Sequence, residues 1–181
     1  TSAGSNGDLY INAGTDGAVG GNLSVTATTG NITDTVALAV TGTSSFTTSA
    51  SNGTITLDNA SNALASAVTL STTGSSAHAT IDNGTTALDM GTSSVGGNLS
   101  LTTGHASGIT DSGTVTVGGN FSATTDANNG VINVGSMAVD GTVALTTNGN
   151  GAATVVNDAG LNLAASTVGG ALTATATTGN I

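Results

Sequence analysis

Apolar and polar residues alternate along the chain in short runs. Leu23-Ser24-Val25-Thr26 and Leu99-Ser100-Leu101-Thr102 are two of them, and turn residues, mostly Gly and Asn, separate one run from the next. Strict alternation is typical of a β-strand with one buried and one solvated face. Glycine and β-branched residues occur throughout and disfavour helix. The pattern therefore predicts an all-β protein made of many short strands.

The alternating runs recur at a regular spacing. The motif Val-Gly-Gly-Asn-Leu at residues 19–23 returns, with small changes, at residues 95–99, 117–121 and 168–172. The opening apolar residues of successive units are separated by 23, 22, 31, 22, 22 and 29 residues, and they are Leu23, Phe46, Val68, Leu99, Phe121, Val143 and Leu172. Two short intervals followed by a long one, twice over, define a super-repeat of about 75 residues.

Each short interval contains three strand-like segments, such as an opening strand at Leu23, a second at Ile32 and a third at Leu38. Three strands per roughly 22 residues describe one rung of a right-handed parallel β-helix, a solenoid in which each strand pairs with its counterpart one rung on. The longer intervals are predicted to add bulged loops at residues 75–78 and 92–94. Residues 1–18 are expected to end a long rung, with residues 9–11 as its third strand.

The whole chain, residues 1–181, is predicted to be one β-solenoid segment and an excerpt of a longer repeat array. A single rung cannot bury its own apolar face, so inward residues should stack in columns. Leu23, Val25, Phe46, Val131 and Leu163 are among the predicted core positions. A β-sandwich is the competing fold: the 22-residue period disfavours it, whereas the 75-residue super-repeat, nearer the length of a sandwich domain, keeps it open.

Composition narrows the range of functions. The 181 residues include no Lys, Arg, Cys or Pro, all ten acidic residues are Asp, and the formal charge is −10. Basic surfaces hold phosphate, so we expect no nucleic-acid partner and no attraction to anionic lipid. No run is long enough for membrane insertion as a spanning helix. The absence of Cys is compatible with export as an unfolded chain and equally with the cytosol.

The repeats also carry a family resemblance. Gly-Gly-Asn-Leu-Ser-Leu-Thr, Gly-Asn-Ile-Thr-Asp and an apolar-Val-Gly turn resemble the β-helical shafts of filamentous-haemagglutinin-type exoproteins, which are large secreted or surface-attached bacterial adhesins. The resemblance implies an extracellular location and a rigid, repetitive shaft, fibre or filament. It also implies continuation of the array or end-to-end self-association. An adhesin stalk that binds host or neighbouring cells through its loops is an alternative.

The outward positions of the opening strands form a predicted column of hydroxyl groups. The column consists of Ser24, Thr26, Thr47, Ser49, Thr69, Ser71, Ser100, Thr102, Ser122, Thr124, Thr146, Thr173 and Thr175. Regular hydroxyl rows on solenoids can order water and bind ice, which is a third functional alternative. Ser and Thr are also ordinary outer-face strand residues that pair across rungs. The mixture of Ser with Thr and the interruption at Ala144 favour this structural interpretation.

A column of Asp residues is predicted where the second strand turns. Its members are Asp34, Asp58, Asp82, Asp111 and Asp158, with Asn133 in the remaining place. Carboxylates are calcium ligands, so these residues are the metal-site candidates. Asp and Asn also stabilise turns through their own backbone, and the calcium-binding Gly-Gly-x-Gly-x-Asp repeat is absent. The structural interpretation is therefore favoured, with calcium as the one possible cofactor.

The sequence predicts no enzyme. Polysaccharide lyases need a cationic residue beside their Asp, and this chain has none. His78 and His105 fall in predicted turns, where polar loop residues are more common than ligands or bases. Asn-x-Ser/Thr triplets mark possible glycan attachment sites at Asn22, Asn31, Asn52, Asn59, Asn83, Asn98 and Asn120.

Overall fold

The computed structural model describes residues 2–3, 7–11 and 18–181. Within these ranges the chain forms 22 short strands joined by turns, and none of these residues lies in a helix. The first nine strands are β1 (Ser2–Ala3), β2 (Leu9–Ile11), β3 (Ala18–Val19), β4 (Leu23–Ala27), β5 (Ile32–Asp34), β6 (Ala39–Val40), β7 (Ser44–Ser51), β8 (Ile55–Leu57) and β9 (Ala63–Leu64).

The other thirteen strands continue the same succession. Up to residue 128 they are β10 (Val68–Thr73), β11 (Ala79–Asp82), β12 (Leu88–Met90), β13 (Ser93–Val95), β14 (Leu99–Thr103), β15 (Ile109–Asp111), β16 (Val115–Val117) and β17 (Phe121–Asn128). The last five are β18 (Ile132–Val139), β19 (Thr142–Asn148), β20 (Ala153–Asn157), β21 (Asn162–Leu163) and β22 (Leu172–Ala176).

Strands stack in parallel along three sides of the molecule. Sheet 1 has the order β1-β2-β5-β8-β11-β14-β17-β19-β21, and sheet 3 the order β3-β6-β9. Sheet 2 joins two rows of strands. Its first row runs through β4, β7, β10, β13, β16 and the end of β18, and its second row through β12, β15, the start of β18, β20 and β22.

The registers give the rung its length. Ile32 pairs with Ile55, 23 residues on, and Leu99 pairs with Phe121, 22 residues on. The chain makes about seven turns of about 22 residues, all built from parallel stacked rungs. The predicted β-solenoid is confirmed, and the competing β-sandwich is wrong because its strands would pair antiparallel.

The long intervals do not make long rungs. Leu23 lies in sheet 2 and pairs with Ser44, whereas Leu99, in the next copy of the motif, lies in sheet 1 and pairs with Ala79. Residues 93 and 94 of the loop predicted at 92–94 belong to strand β13, whereas residues 75–78 do form a loop before β11. The loop predicted at 92–94 is therefore wrong. The 31-residue interval is one rung plus a further strand, so the next super-repeat starts on another side.

Successive copies of the super-repeat keep their local contacts while changing side. The N–H of Leu70 donates to Oγ of Ser93 at 3.0 Å, and 75 residues on, the N–H of Leu145 donates to Oγ of Ser166 at 3.0 Å. The start of the third super-repeat places Leu172 beside Ala153, in the second row of sheet 2. The three super-repeats thus start on three different rows of strands.

The N-terminal expectation also needs correction. Leu9 and Tyr10 pair with Ile32 and Thr33, so residues 9–11 stack on a second strand and not on a third. The part of that expectation concerning residues 1, 4–6 and 12–17 lies outside the described residues. Strand β1 pairs with β2 antiparallel, in contrast to the parallel pairing elsewhere.

Inward side chains fill one continuous core. Phe46 and Phe121, the largest, are fully buried, and columns of Ile, Leu and Val surround them. Two predicted positions, Leu23 and Leu163, are only partly buried. Val131 was expected inside, but Ile109 pairs with Ile132, so Ile132 points into the core and Val131 does not. Register, and not apolar character, decides which of two adjacent aliphatic residues is buried.

Close stacking explains one glycine of the motif. A Cβ on Gly119 would lie 2.8 Å from the backbone carbon of Gly97 in the preceding rung and would collide with Oδ1 of Asn98. We expect Gly119→Ala to reduce the free energy of unfolding by about 1–3 kcal/mol, the usual cost of overpacking. Chemical denaturation monitored by circular dichroism measures it.

Gly135→Ala is the matched control, since Gly135 has no positive φ and a Cβ there would meet no atom within 4 Å. We expect this change to be neutral or to stabilise by up to about 1 kcal/mol. Equal destabilisation by the two substitutions would contradict the packing explanation.

Candidate functional site

The asparagine of the Val-Gly-Gly-Asn motif connects one rung to the next. The N–H of Asn120 donates to Oδ1 of Asn98 at 2.9 Å, and the N–H of Thr142 donates to Oδ1 of Asn120 at 2.9 Å. Asn22 accepts from Thr43 in the same way at 3.0 Å. A short polar side chain suits this place because it satisfies a corner N–H that has no strand partner. The motif is therefore a structural corner.

Three asparagines that the sequence analysis did not single out as structural groups lie inside the solenoid. Asn62, Asn83 and Asn157 are at most 1% exposed. The N–H of Leu64 donates to Oδ1 of Asn83 at 2.8 Å, while Nδ2 of Asn83 donates to the carbonyl of Leu64 at 3.1 Å. Asn157 makes the same pair of bonds with Val139 at 2.8 and 3.1 Å. Their amides take the place of a backbone peptide in the ladder.

These contacts sort the possible glycan sites. Asn83 is fully buried, and its Nδ2 also donates to the carbonyls of Thr86 and Ala87. It is therefore unavailable to a transferase in the folded chain. The remaining triplets lie at the surface, with Asn22, Asn52, Asn98 and Asn120 exposed. Glycosylation at those positions stays a prediction.

We expect Asn83→Ala to destabilise the chain by about 3 kcal/mol. It leaves a buried N–H and buried carbonyls without partners, each costing about 1–3 kcal/mol. Asn98→Ala, which removes one exposed bond, should cost about 1 kcal/mol. Denaturant titration of both variants tests the difference, and a cost for Asn98→Ala equal to that for Asn83→Ala would contradict it.

The predicted Asp column is divided between sides of the solenoid. Asp34, Asp58 and Asp82 lie at the ends of strands of sheet 1, whereas Asp111 and Asp158 lie at the ends of strands of sheet 2. The register aligns Asp34 with Leu57 and so sets it one residue away from the level shared by Asp58 and Asp82. Among the described residues, no three His, Cys, Asp or Glu side chains are grouped to hold a metal ion. Calcium binding stays a prediction from the sequence pattern.

Asp34 is the member with an unusual environment. Only 6% of its surface is exposed. Its Oδ2 accepts from Nδ2 of Asn62 at 2.7 Å, while Oδ1 is buried without a hydrogen-bond partner. Burial raises the pKa of Asp34 above its usual 3.8; hydrogen bonds from Asn62 and from the backbone of Asn59 oppose the rise, and the nearby Asp58 adds to it.

The raised pKa makes a prediction about pH. Asp34 binds its proton more tightly in the folded chain than in the unfolded chain. Its stabilising contribution is therefore fully present below pH 3.8 and is lost as the pH rises through the raised pKa. We compare the melting temperature of the unmodified chain with that of Asp34→Asn at two pH values. The melting temperature of the unmodified chain, relative to that of the variant, should be higher at about pH 3 than at about pH 7.

Asp126→Asn is the control, because Asp126 is exposed and its removal also takes away one negative charge. We expect the Asp34→Asn difference to depend on pH more strongly than the Asp126→Asn difference. Identical pH profiles for the two variants would show that burial does not perturb Asp34.

The two histidines hold turns together. The N–H of Asn98 donates to Nδ1 of His78 at 2.8 Å, and the N–H of Ser107 donates to Nδ1 of His105 at 3.0 Å. Both rings accept from backbone, as turn-stabilising side chains do. This agrees with their interpretation as polar loop residues.

The hydroxyl groups form two populations. Thr48, Thr72, Thr103, Thr125 and Thr147 are buried and donate to backbone carbonyls in or near the turns. The sequence analysis did not predict this buried set. The outward set is also divided: Ser24, Thr26 and Thr47 lie on sheet 2, and Ser100, Thr102, Ser122, Thr124 and Thr146 lie on sheet 1.

A shallow groove lies beside a bulge in strand β18. The register with β20 shifts between Val134 and Met137, which leaves Gly135 and Ser136 as the bulge. The groove has a volume of about 160 Å³ and is lined by Thr114, Gly135, Ser136, Met137, Val156, Asp158 and Thr177. Ligand pockets usually have about 300–1,000 Å³, so we assign no ligand to it.

Among the described residues, no helix is long and apolar enough to cross a membrane. The stacked parallel rungs, the shared core and the recurring corner contacts define the class of the protein as a repeat β-solenoid. The chain belongs to the family described as repeats of unknown function (DUF5649), whose model matches residues 3–71 and 76–133. No curated protein and no solved structure matches the chain.

The two matched segments relate the family repeat to the structure. They begin at residues 3 and 76, a separation of 73 residues. This is close to the super-repeat of about 75 residues and far from the rung of about 22 residues. Each matched segment therefore covers several rungs.

Proposed function

We propose that the chain is a segment of a rigid extracellular shaft or fibre, with no catalytic role. The observation that carries the proposal is the repetition of local contacts between super-repeats, such as those of Leu70 with Ser93 and of Leu145 with Ser166. Each copy starts where the previous one ends and builds the same corners one side further on. Such units extend a rod without a break.

The interactions that join the rungs suit a mechanical role. Parallel backbone ladders connect each rung to its neighbours, and the core is continuous through the stack. The chain has no Lys or Arg, so the rod does not depend on ion pairs between side chains of opposite charge. Screening by salt weakens exposed charge pairs but not a hydrogen-bonded ladder or an apolar core. A shaft of this kind keeps its stiffness when salt concentration changes.

The extracellular location rests on sequence features. The resemblance to filamentous-haemagglutinin-type shafts supports a secreted or surface-attached protein. The solenoid with its short turns supports a stalk more than a receptor-binding tip. An adhesin acting through loops at residues 75–78 and 92–94 is less well supported, since these residues form a turn and part of a strand.

A length measurement tests the shaft. Inserting a second copy of residues 23–98 after residue 98 adds one super-repeat and keeps the Asn-Leu junction of the motif. We expect the rod to lengthen by about 17 Å, because 76 residues make about 3.5 rungs at about 4.8 Å each. The cross-section should not change. Small-angle X-ray scattering measures both dimensions.

An insertion of the same 76 residues in shuffled order is the matched control, since it keeps composition and charge but loses the register. It should add a flexible region and no rod length. A native insertion that widens the particle or leaves its length unchanged would refute the proposed shaft. Immunogold labelling of intact and permeabilised cells tests location separately: labelling only after permeabilisation would contradict an extracellular protein.

A further inference from the structure

The outward face of sheet 1 carries two neighbouring columns of hydroxyl groups. One column runs through Thr33, Thr56, Thr80, Ser100 and Ser122, and the other through Thr102, Thr124, Thr146 and Thr167. The first is longer than the sequence analysis predicted, because it joins second-strand threonines of one super-repeat to opening-strand serines of the next. Ala144 ends it, but the second column continues beside it.

These hydroxyls are free of protein partners. In the described part of the chain, none of the nine donates to or accepts from a protein group, although the buried threonines all donate to carbonyls. The structural explanation for an outward hydroxyl column is pairing between hydroxyl groups of adjacent rungs. No hydrogen bond joins these nine hydroxyls to one another. Each hydroxyl is left to bond with water.

The register makes the columns regular. Between β11 and β19 each strand of sheet 1 pairs with the next over several residues without a shift as far as Thr124. Hydroxyls within a column are therefore about 4.8 Å apart, and the columns are about 6.6 Å apart, two residues along a strand. Sheet 2 is regular from β4 to Ser71 of β10 but not beyond it, since β10 meets β12 and β13 through one residue pair each.

The chemistry of this face selects its partner. Ser100, Ser122, Thr102, Thr124 and Thr146 carry no charge, and Asp82, which pairs with Thr102, puts a carboxylate only at the end of the second column. Phe46 and Phe121 are buried, and Tyr10, which pairs with Thr33, is the one aromatic residue in line with these columns among the described residues. What remains is a two-dimensional array of hydroxyl and methyl groups that repeats about every 4.8 Å along a column and about every 6.6 Å across the columns, and such an array can hold water at regular positions.

We propose that the outward face of sheet 1 binds ice through this hydroxyl array. The hydroxyl groups hold the water that bonds to them at regular positions, and that ordered water joins the ice lattice. The role goes beyond that of a shaft and does not depend on it. It would place the surrounding solenoid at an ice surface, with the ladder keeping the hydroxyls in register.

The experiment compares two matched pairs of substitutions. The sheet 1 variant carries both Thr102→Leu and Thr124→Leu, which are paired residues of adjacent strands. The sheet 2 variant carries both Thr26→Leu and Thr47→Leu, which are paired in the same way. Thermal hysteresis and partitioning into slowly growing ice are measured for the whole chain and both variants. We expect activity in the whole chain, a several-fold loss in the sheet 1 variant and no loss in the sheet 2 variant.

Circular dichroism melting of each variant shows whether it folds. Should the sheet 1 pair fail to fold, Thr146→Lys replaces it, because Thr146 is exposed and in the same column. Absence of thermal hysteresis and of ice partitioning in the unmodified chain would overturn the proposal. Equal losses in the two variants would overturn its assignment to sheet 1. Either result leaves the shaft proposal to be decided by its own length measurement.

Discussion

The parallel ladder between rungs is the interaction on which the rest of the structure depends. Each strand can pair with the next only if the rungs keep nearly the same length, so a rung of about 22 residues persists even where the sequence motif shifts its spacing. The same closeness of rungs demands glycine at Gly119 and places Asn98 where its amide can meet the following rung. Burial of Phe46 and Phe121 follows from the stacking, since one rung alone has no interior.

The sequence predicts this architecture well because its signal is local and repeated. Alternation around Leu23 and Leu99 identifies strands, and the 22-residue period identifies the rung. Two copies of the same motif need not lie on the same side of the solenoid. Alignment of Leu23 with Leu99 therefore predicts long rungs, whereas the registers show rungs of ordinary length and a motif that moves from sheet 2 to sheet 1. Val131 and Ile132 could not be separated for a related reason: both are β-branched and apolar, and only pairing distinguishes them.

The polar residues were harder to predict. Asn83 and Asn98 are the same residue type beside similar turns, yet one is buried in the ladder and the other exposed at a corner. The role of each Asn depends on whether a strand of the neighbouring rung lies beside it, and composition does not show this. Thr72 and Thr102 differ in the same way, since one hydroxyl reaches a carbonyl and the other faces solvent. In a chain without cations, amides and hydroxyls supply the polar contacts that ion pairs provide elsewhere.

The change of side between super-repeats has a geometric consequence. Because a rung has three strands and each copy moves on by one, a feature carried by the motif returns to its original side only after three copies, or about 225 residues at about 75 each. In a long array, the Gly-Gly pair of the motif would follow a slow spiral around the axis, whereas its Asn is replaced by Ala171 at the start of the third super-repeat. Any molecule that recognises the surface of the motif would find it on three sides, at regular intervals along the axis. A continued array of this kind would present the motif, though not every surface residue, on each of its three sides in turn.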